Sequence, residues 1–552
     1  MMSLTFPSPS SVVDTLMLFS FPYLISWPFI KRPDIPLGLE ISTRGRCEWQ
    51  LEWDDRVNFI ENPIFTLHVA DNDWASYWRE LWLQVWNNGS VLGVWEPLSL
   101  IAKVAQNEFM RWRGARVTPD VPEEMYGPAA IAIRGGLAMT PDSIKQVSTV
   151  IHAFNALLVV KVSRGVIEYY WRTATANREY KMSLNTRIGT AIGSLFWAVH
   201  PHRAEVVAWA SGQPYLLATF FVLCSTLCFL ESQKPIGYNA PTDVPSVATD
   251  RAESNSKGGS IMLKTKASVN KANRQLGPSN IISQISRSVL AGTAPPWVWY
   301  CFSLAAYGAS LLSKAASIPL PGAFFLLLLS GQRGELSKSL PTSYRSRALR
   351  LCYFLKPLFM LSPFFALAAM SCNAALLSNR DVLPPFEIKL TPPYQVLRAF
   401  HACTYYLVSS HSTSTAAPIY PFPEGLPQSL LAPGMAIPAY FAMFFTCITV
   451  AWFARRAVAI GTTKANNFYL VAGACCAAWG NLICWVSPTL LPIQHGFPTI
   501  VAERYVYIPS ALLLPLTISA VLYTLSASCE VLDGALGIVQ KAEQNGDDLE
   551  IL

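Results

Sequence analysis

The sequence predicts an all-α polytopic membrane protein, a bundle of about ten transmembrane helices with long loops on one side of the bilayer. Three observations predict it. Of 552 residues, 52% are hydrophobic and 14% are charged; the apolar residues gather in long runs; and the Lys and Arg between runs favour one side. A soluble domain carries roughly a quarter charged residues, so the deficit points to a bilayer as solvent. The 17 tryptophans fit wide water–lipid interfaces. Most of the 12 cysteines sit in apolar runs, Cys224, Cys228, Cys301, Cys447, Cys475, Cys476 and Cys484 among them, where they behave as small hydrophobes. No CxxC pair with metal spacing is present, so no zinc site is expected. The net charge of +7 is modest, and no nucleic-acid partner is expected.

Residues 1–30 hold a weak first anchor, Val12–Ile30, broken by Asp14, Pro22 and Pro28 and without the basic start of a signal peptide. Residues 31–145 form a first long loop. Residues 146–230 carry the spans Val147–Val162, Ile188–Val199 and Val206–Leu230. Residues 231–294, rich in Ser, Asn, Lys and Pro, read as a disordered tether. Residues 295–377 carry Val298–Leu312, Ile318–Leu329 and Phe354–Leu377; residues 378–432 form a second long loop. Residues 433–526 carry Ile437–Ala454, Phe468–Trp485 and Tyr507–Leu525, and an acidic tail, 527–552, follows.

Basic residues orient this arrangement. Arg172, Arg178, Lys181 and Arg187 share one connection, Arg333, Lys338, Arg345, Arg347 and Arg350 a second, and Arg455, Arg456 and Lys464 a third. All fall on the cytosolic side if the first span starts inside, as do the tether and the tail. The two long loops then lie opposite. In each, apolar residues recur at helical spacing: Trp74, Trp78, Leu81, Trp82 and Val85, then Tyr394, Leu397, Tyr405 and Val408. Such helices either lie flat on a membrane surface or pack on their own loop.

The polar clusters at membrane boundaries fall on that same non-cytosolic side. Trp53-Asp54-Asp55-Arg56 lies in the first loop. His200-Pro201-His202-Arg203-Ala204-Glu205 joins two spans, Lys314 occupies a Ser-Ala hinge, and Gln494, His495, Glu503 and Arg504 precede the last span. Ionisable groups at membrane depth are costly and persist mainly where they face one another or a wet cavity. Carboxylates beside several cations suit an acid or base working next to an anionic substrate. Taken singly, each cluster is ordinary: paired aspartates cap loops, and lysines snorkel. Their order along the chain is what distinguishes them.

That order resembles the transmembrane and tetratricopeptide-containing O-mannosyltransferases, polytopic proteins of the GT-C superfamily. The matching stretches are Trp53–Pro63, Gly93–Leu98, His152–Leu158, Leu195–Glu205, Leu311–Lys314 with Leu320-Pro321, Ala417–Pro421 and Glu503–Ser510. Seven in the family's order are a specific signal. The resemblance implies a GT-C-like bundle in the endoplasmic reticulum membrane and a transferase that moves a sugar, mannose first, from a dolichyl-phosphate donor to Ser or Thr of lumenal proteins. It implies Asp54 as the base that takes the acceptor's proton and Asp55 as its orienting neighbour. His202, Arg203, Lys314 and Arg504 are candidates for the donor phosphate on charge and side, with His200, Glu205, Gln494 and Glu503 in the same pocket. No cofactor is predicted. Two carboxylates are compatible with a divalent metal, which base catalysis does not need.

The chain departs from the family pattern in two places. The family's Gly-Arg-Ala-Asp segment is replaced by Gly212-Gln213-Pro214-Tyr215, and a position commonly basic in the first loop is Glu96. No tetratricopeptide repeats follow the last span. Another sugar or acceptor on the same fold, and a non-catalytic lipid-phosphate transporter or scaffold, are the alternatives.

Overall fold

The computed structural model describes residues 40–41, 47–48, 74–87, 90–91, 94–113, 139, 141–175, 182–234, 294–331, 345–379, 392–409, 411, 419–421, 431–458, 476, 478–487 and 499–521. The chain divides into two compact units, one made of Met1–Thr226 with Leu304–Leu552, the other of Leu227–Ser303. Every contact described below lies within the first.

The protein is helical. Three short antiparallel pairings accompany the helices: Glu40–Ile41 with Cys47–Glu48, Ser90–Val91 with Val94–Trp95, and Ile419–Pro421 with Thr499–Ala502. Among the described residues, five helical segments are long and apolar enough to cross a membrane: Ser143–Thr173, Ala210–Ser232, Leu355–Ser378, Pro433–Trp452 and Arg504–Val521. These correspond to five of the runs read from sequence. Three more runs fall in helices Leu184–Val199, Pro296–Ser313 and Leu320–Gly331. Phe468–Trp485 is described only at 476 and 478–485, and Val12–Ile30 lies outside the described residues, as does the tail 527–552.

Boundaries move for identifiable reasons. Helix Pro141–Thr175 extends well past the expected Val162, because Arg164, Glu168 and Arg172 interrupt apolarity without interrupting helix propensity. Arg172 and Glu168 pair one turn apart at 3.5 Å, and Arg164 donates to Thr190 Oγ1 at 3.1 Å and to the Arg187 carbonyl at 3.2 Å, tying this helix to Leu184–Val199. Lys145, expected at the end of a loop, belongs to the helix. Glu231 and Ser232, expected in the tether, finish helix Gln213–Ser232; residues 235–293 lie outside the described residues. Helix Leu184–Val199 approaches the last described helix, 507–521, closely: a Cβ on Gly193 would come within 2.5 Å of Pro515 Cα.

Both amphipathic loop helices form, and neither turns its whole apolar face outward. In Trp74–Asn87, Leu81 and Val85 are buried against Leu100, Val104, Met139 and Ile144, while Trp78 and Trp82 are exposed. The expected single face is split between protein and surroundings. In Pro392–Ser409, Leu397 packs on Ala439, and Ala402, Cys403 and Tyr406 pack with Ala442, Leu482, Val486 and Val506. Thr404 donates to the Pro438 carbonyl at 2.7 Å, inside helix Pro433–Val458. This second helix is therefore part of the bundle, with Val408 left outward.

Candidate functional site

The site is built around the chain reversal after Leu184–Val199. A residue before proline is pushed out of helical geometry, and His200, preceding Pro201, is extended at φ −65°, ψ 133°. A 3-10 turn Pro201–Arg203, a short helix Ala204–Ala208 and a second 3-10 turn Ala210–Gly212 then lead into Gln213–Ser232. The reversal is tight: a Cβ on Gly212 would lie 2.6 Å from the Val206 carbonyl oxygen. It buries His200, His202 and Arg203. The two imidazoles stack at 4.8 Å, and His200 Nδ1 accepts the His202 backbone N–H at 3.3 Å.

Arg203 is held from below by aromatic faces. Its Nε donates to the Trp197 carbonyl at 3.2 Å, and its guanidinium lies 5.4 Å from the Trp197 ring and 5.6 Å from that of Tyr507, within cation–π range. Those rings are themselves fixed. His152 Nε2 lies 2.9 Å from the Ala198 carbonyl and Nδ1 lies 2.6 Å from the Tyr507 hydroxyl. A carbonyl only accepts, so in the neutral ring Nε2 carries the proton and Tyr507 donates to Nδ1. Asn155 donates to the Leu216 carbonyl at 3.0 Å, and Trp197 Nε1 to Ser510 Oγ at 3.2 Å.

Two ion pairs complete the arrangement. Glu205 receives Arg504 twice, from Nη1 at 2.8 Å and from the backbone N–H at 2.7 Å. The Arg504 guanidinium also lies 5.4 Å from Trp209 and 5.3 Å from Tyr505. Lys314 stands extended, φ −160°, ψ 130°, between helix Pro296–Ser313 and the 3-10 turn Ala315–Ser317. Hydroxyls fasten this break: Ser317 donates to the Lys314 carbonyl at 2.9 Å and Tyr307 to that of Ile318 at 3.1 Å. The Lys314 ammonium donates to Glu96 Oε1 and lies 5.0 Å from the Tyr215 ring. Ser99, three residues beyond Glu96, donates to the Ser313 carbonyl at 2.8 Å, so the start of helix Pro97–Trp112 is docked on the break at two points. Both pairs are mostly buried, with side-chain exposures of 14% and 12% for Lys314 and Glu96, and 12% and 5% for Arg504 and Glu205.

Tyr215 joins the pairs. One face receives Lys314, and its ring meets Tyr505 edge-on at 6.4 Å. Gln213, two residues earlier, donates to Gln106 at 3.1 Å. The two departures from the family pattern, Glu96 and the Gln213–Tyr215 segment, thus both meet the first-loop helix or Lys314.

Of the residues singled out from sequence, His200, His202, Arg203, Glu205, Lys314 and Arg504 lie in this one neighbourhood. Glu503 falls in the 3-10 turn Glu503–Val506, its side chain outside the description; Asp54, Asp55 and Gln494 also lie outside the described residues. Sequence reasoning gave Glu96, Tyr215, His152 and Tyr507 no role. Opposite charge on Glu96 and Lys314 was a signal, but 218 residues separate them, and no periodicity connects positions so far apart. Among the described residues no group of three His, Cys, Asp or Glu side chains could hold a metal ion. Compared with protein-family models, curated proteins and solved structures, the chain finds no match.

Proposed function

We propose that this protein is an integral-membrane glycosyltransferase of the endoplasmic reticulum, with a GT-C-like bundle of about ten helices. It transfers a sugar, mannose first, from a dolichyl-phosphate donor to Ser or Thr hydroxyls of lumenal proteins. One observation carries the reading: six of the seven resembling stretches are described in whole or in part, and their described residues meet one another. Glu96 meets Lys314, His152 meets Tyr507 and Ala198, and Glu205 meets Arg504. Strand Ile419–Pro421 pairs with Thr499–Ala502, immediately before Glu503. Stretches that the resemblance joins only by their order along the chain are far apart in sequence and adjacent in space.

In this mechanism the acceptor oxygen bonds to the anomeric carbon as the bond to the donor phosphate oxygen breaks. Asp54 takes the hydroxyl proton and Asp55 orients it. The leaving lipid phosphate takes the bonding electron pair and gains a second negative charge, and fixed cations and donors stabilise it without reorganising; Arg203, Lys314, Arg504 and His202 are the residues for this. A second reading, a lipid-phosphate carrier of the same fold, is favoured by one feature: Lys314 and Arg504 are each already engaged by a carboxylate.

Microsomes from cells lacking the protein, compared with wild type, separate the readings. Loss of hexose-mass glycans from Ser or Thr of particular secretory proteins is expected. An unchanged glycan profile alongside altered lipid-phosphate distribution would favour the carrier.

A further inference from the structure

We infer that Lys161, Arg164 and Arg187 form a binding site for the phosphate of an anionic phospholipid, in the leaflet opposite the candidate functional site. The site is independent of the donor reading, since it needs only that these helices cross a membrane.

Its place follows from helix geometry. Helix Leu184–Val199 ends at the His200 reversal, and Arg187 lies in its first turn, about 20 Å along the axis from His200. Helix Pro141–Thr175 packs beside it. Counted from Ser143, where its candidate span begins, Lys161 stands about 27 Å and Arg164 about 31 Å along the axis. That is the far edge of a hydrocarbon layer about 30 Å thick. Between these cations and the functional site both helices turn apolar side chains outward, Val150 and Phe154 from one, Ile192 and Phe196 from the other. Acyl chains can lie on those side chains while a headgroup reaches the cations.

The charge at this edge is fixed in place. Arg164 donates from Nε to Thr190 Oγ1 and from Nη2 to the Arg187 carbonyl, which holds its guanidinium in the seam between the two helices. A lysine at such depth can snorkel toward water; a guanidinium tied at two points cannot. Lys161 is exposed and lies three residues before Arg164, so the two share a helix face. Arg187 is brought to the same seam by the hydrogen bond its own carbonyl accepts. Pro141–Thr175 from Lys161 onward, together with Leu184–Val199, supplies Lys161, Arg164, Arg172 and Arg187 against a single carboxylate, Glu168, which pairs with Arg172 at 3.5 Å. Like charges gathered at a membrane boundary are costly. The positive end of the Leu184–Val199 dipole adds to them, and anionic headgroups are drawn to such basic clusters.

The test takes the full chain, delipidated in detergent, and counts bound lipid by native mass spectrometry during titration with phosphatidylinositol or phosphatidylcholine of equal acyl chains. Wild type is expected to hold one phosphatidylinositol about tenfold or more tighter than phosphatidylcholine. Lys161→Gln and Arg187→Gln should each weaken it about fivefold, and together about 25-fold. Lys356→Gln, which removes an exposed cation from helix Arg345–Asn379, should change nothing. An equal loss in Lys356→Gln would reduce the effect to general surface charge. Loss in Lys314→Met with none in Lys161→Gln would place the lipid at the candidate functional site. Displacement of the lipid by excess inorganic phosphate, but not by chloride of equal ionic strength, would make the ligand a soluble anion. Each of these overturns the inference, as does a wild type that binds both lipids alike, a result that needs no variant to fold.

Discussion

Helices Pro141–Thr175 and 507–521 can be set against helices Arg345–Asn379 and Pro433–Val458. All four supply candidate membrane spans, yet half of each of the first two spans is buried and 22% of each of the others. The inner pair carries His152, Asn155, Tyr507 and Ser510 in buried hydrogen bonds. The outer pair presents Phe359, Met370, Ile437, Phe441 and Phe444, each more than half exposed, as expected of faces against lipid. Polar residues in a bilayer helix must be satisfied by protein, so a polar residue inside an apolar run identifies the face turned inward. Hydrophobicity alone does not, since both pairs possess it.

This contrast predicts a steep gradient of mutational cost. The largest effect is expected at the ion pair next to the inner helices. Glu205→Gln leaves Arg504 without its carboxylate, and breaking a buried pair costs about 3–5 kcal/mol. Arg504→Met with Glu205→Met should recover much of that. Detergent-solubilised thermal melting followed by size exclusion measures both; a single substitution no worse than the pair would contradict the coupling.

Next comes His152→Leu, which leaves the Tyr507 hydroxyl and the Ala198 carbonyl with a buried partner removed. The expected cost is about 2–3 kcal/mol, against about 0.5 kcal/mol or less for Phe359→Ala on the outer face. Equal losses in the same melting assay would erase the distinction between inner and outer helices.

The smallest effect is a pH dependence in the loop helix Pro392–Ser409, which lies outside the candidate spans. Burial pushes the His401 imidazole below its ordinary value of 6.5, opposed by a hydrogen bond to the Met435 carbonyl. The folded ring resists a proton that the unfolded ring accepts, so its contribution is complete above about 6.5 and is lost as pH falls below that value. His401→Gln should flatten the acid side of the melting profile. A profile equally steep in the variant would assign the acid loss to other groups.

How far the sequence reaches follows the same division. Apolar runs locate helices because length and hydrophobicity are local properties, and Ser313-Lys314 reads as a break because polar residues interrupt two such runs. The fate of a helix face is not local. Trp78 and Leu81 share one face by spacing, yet Leu81 is buried and Trp78 exposed, since periodicity records apolarity and not the partner that covers it. The candidate site was legible as polar clusters at the ends of apolar runs; its wiring was not. Glu96 finds Lys314, and Tyr215 links that pair toward Arg504, through contacts that only the fold creates. Glu96 and Tyr215 stood out in the sequence only as mismatches to a family pattern, and one of them forms an ion pair in the site.

The proposed reaction transfers a sugar from a lipid phosphate to a Ser or Thr hydroxyl with Asp54 as base. The most direct measurement reconstitutes purified protein in vesicles with radiolabelled dolichyl-phosphate mannose and a Ser/Thr-rich acceptor peptide, and follows label into peptide. Wild type should transfer label, and Asp54→Asn, inserted to the same level, should lose about a hundred- to ten-thousand-fold in turnover while still binding the donor lipid; Asp55→Asn should also be impaired. Transfer at the wild-type rate by both Asp54→Asn and Asp55→Asn would contradict the catalytic assignment, and a wild type that binds donor lipid without transferring label would contradict the enzyme.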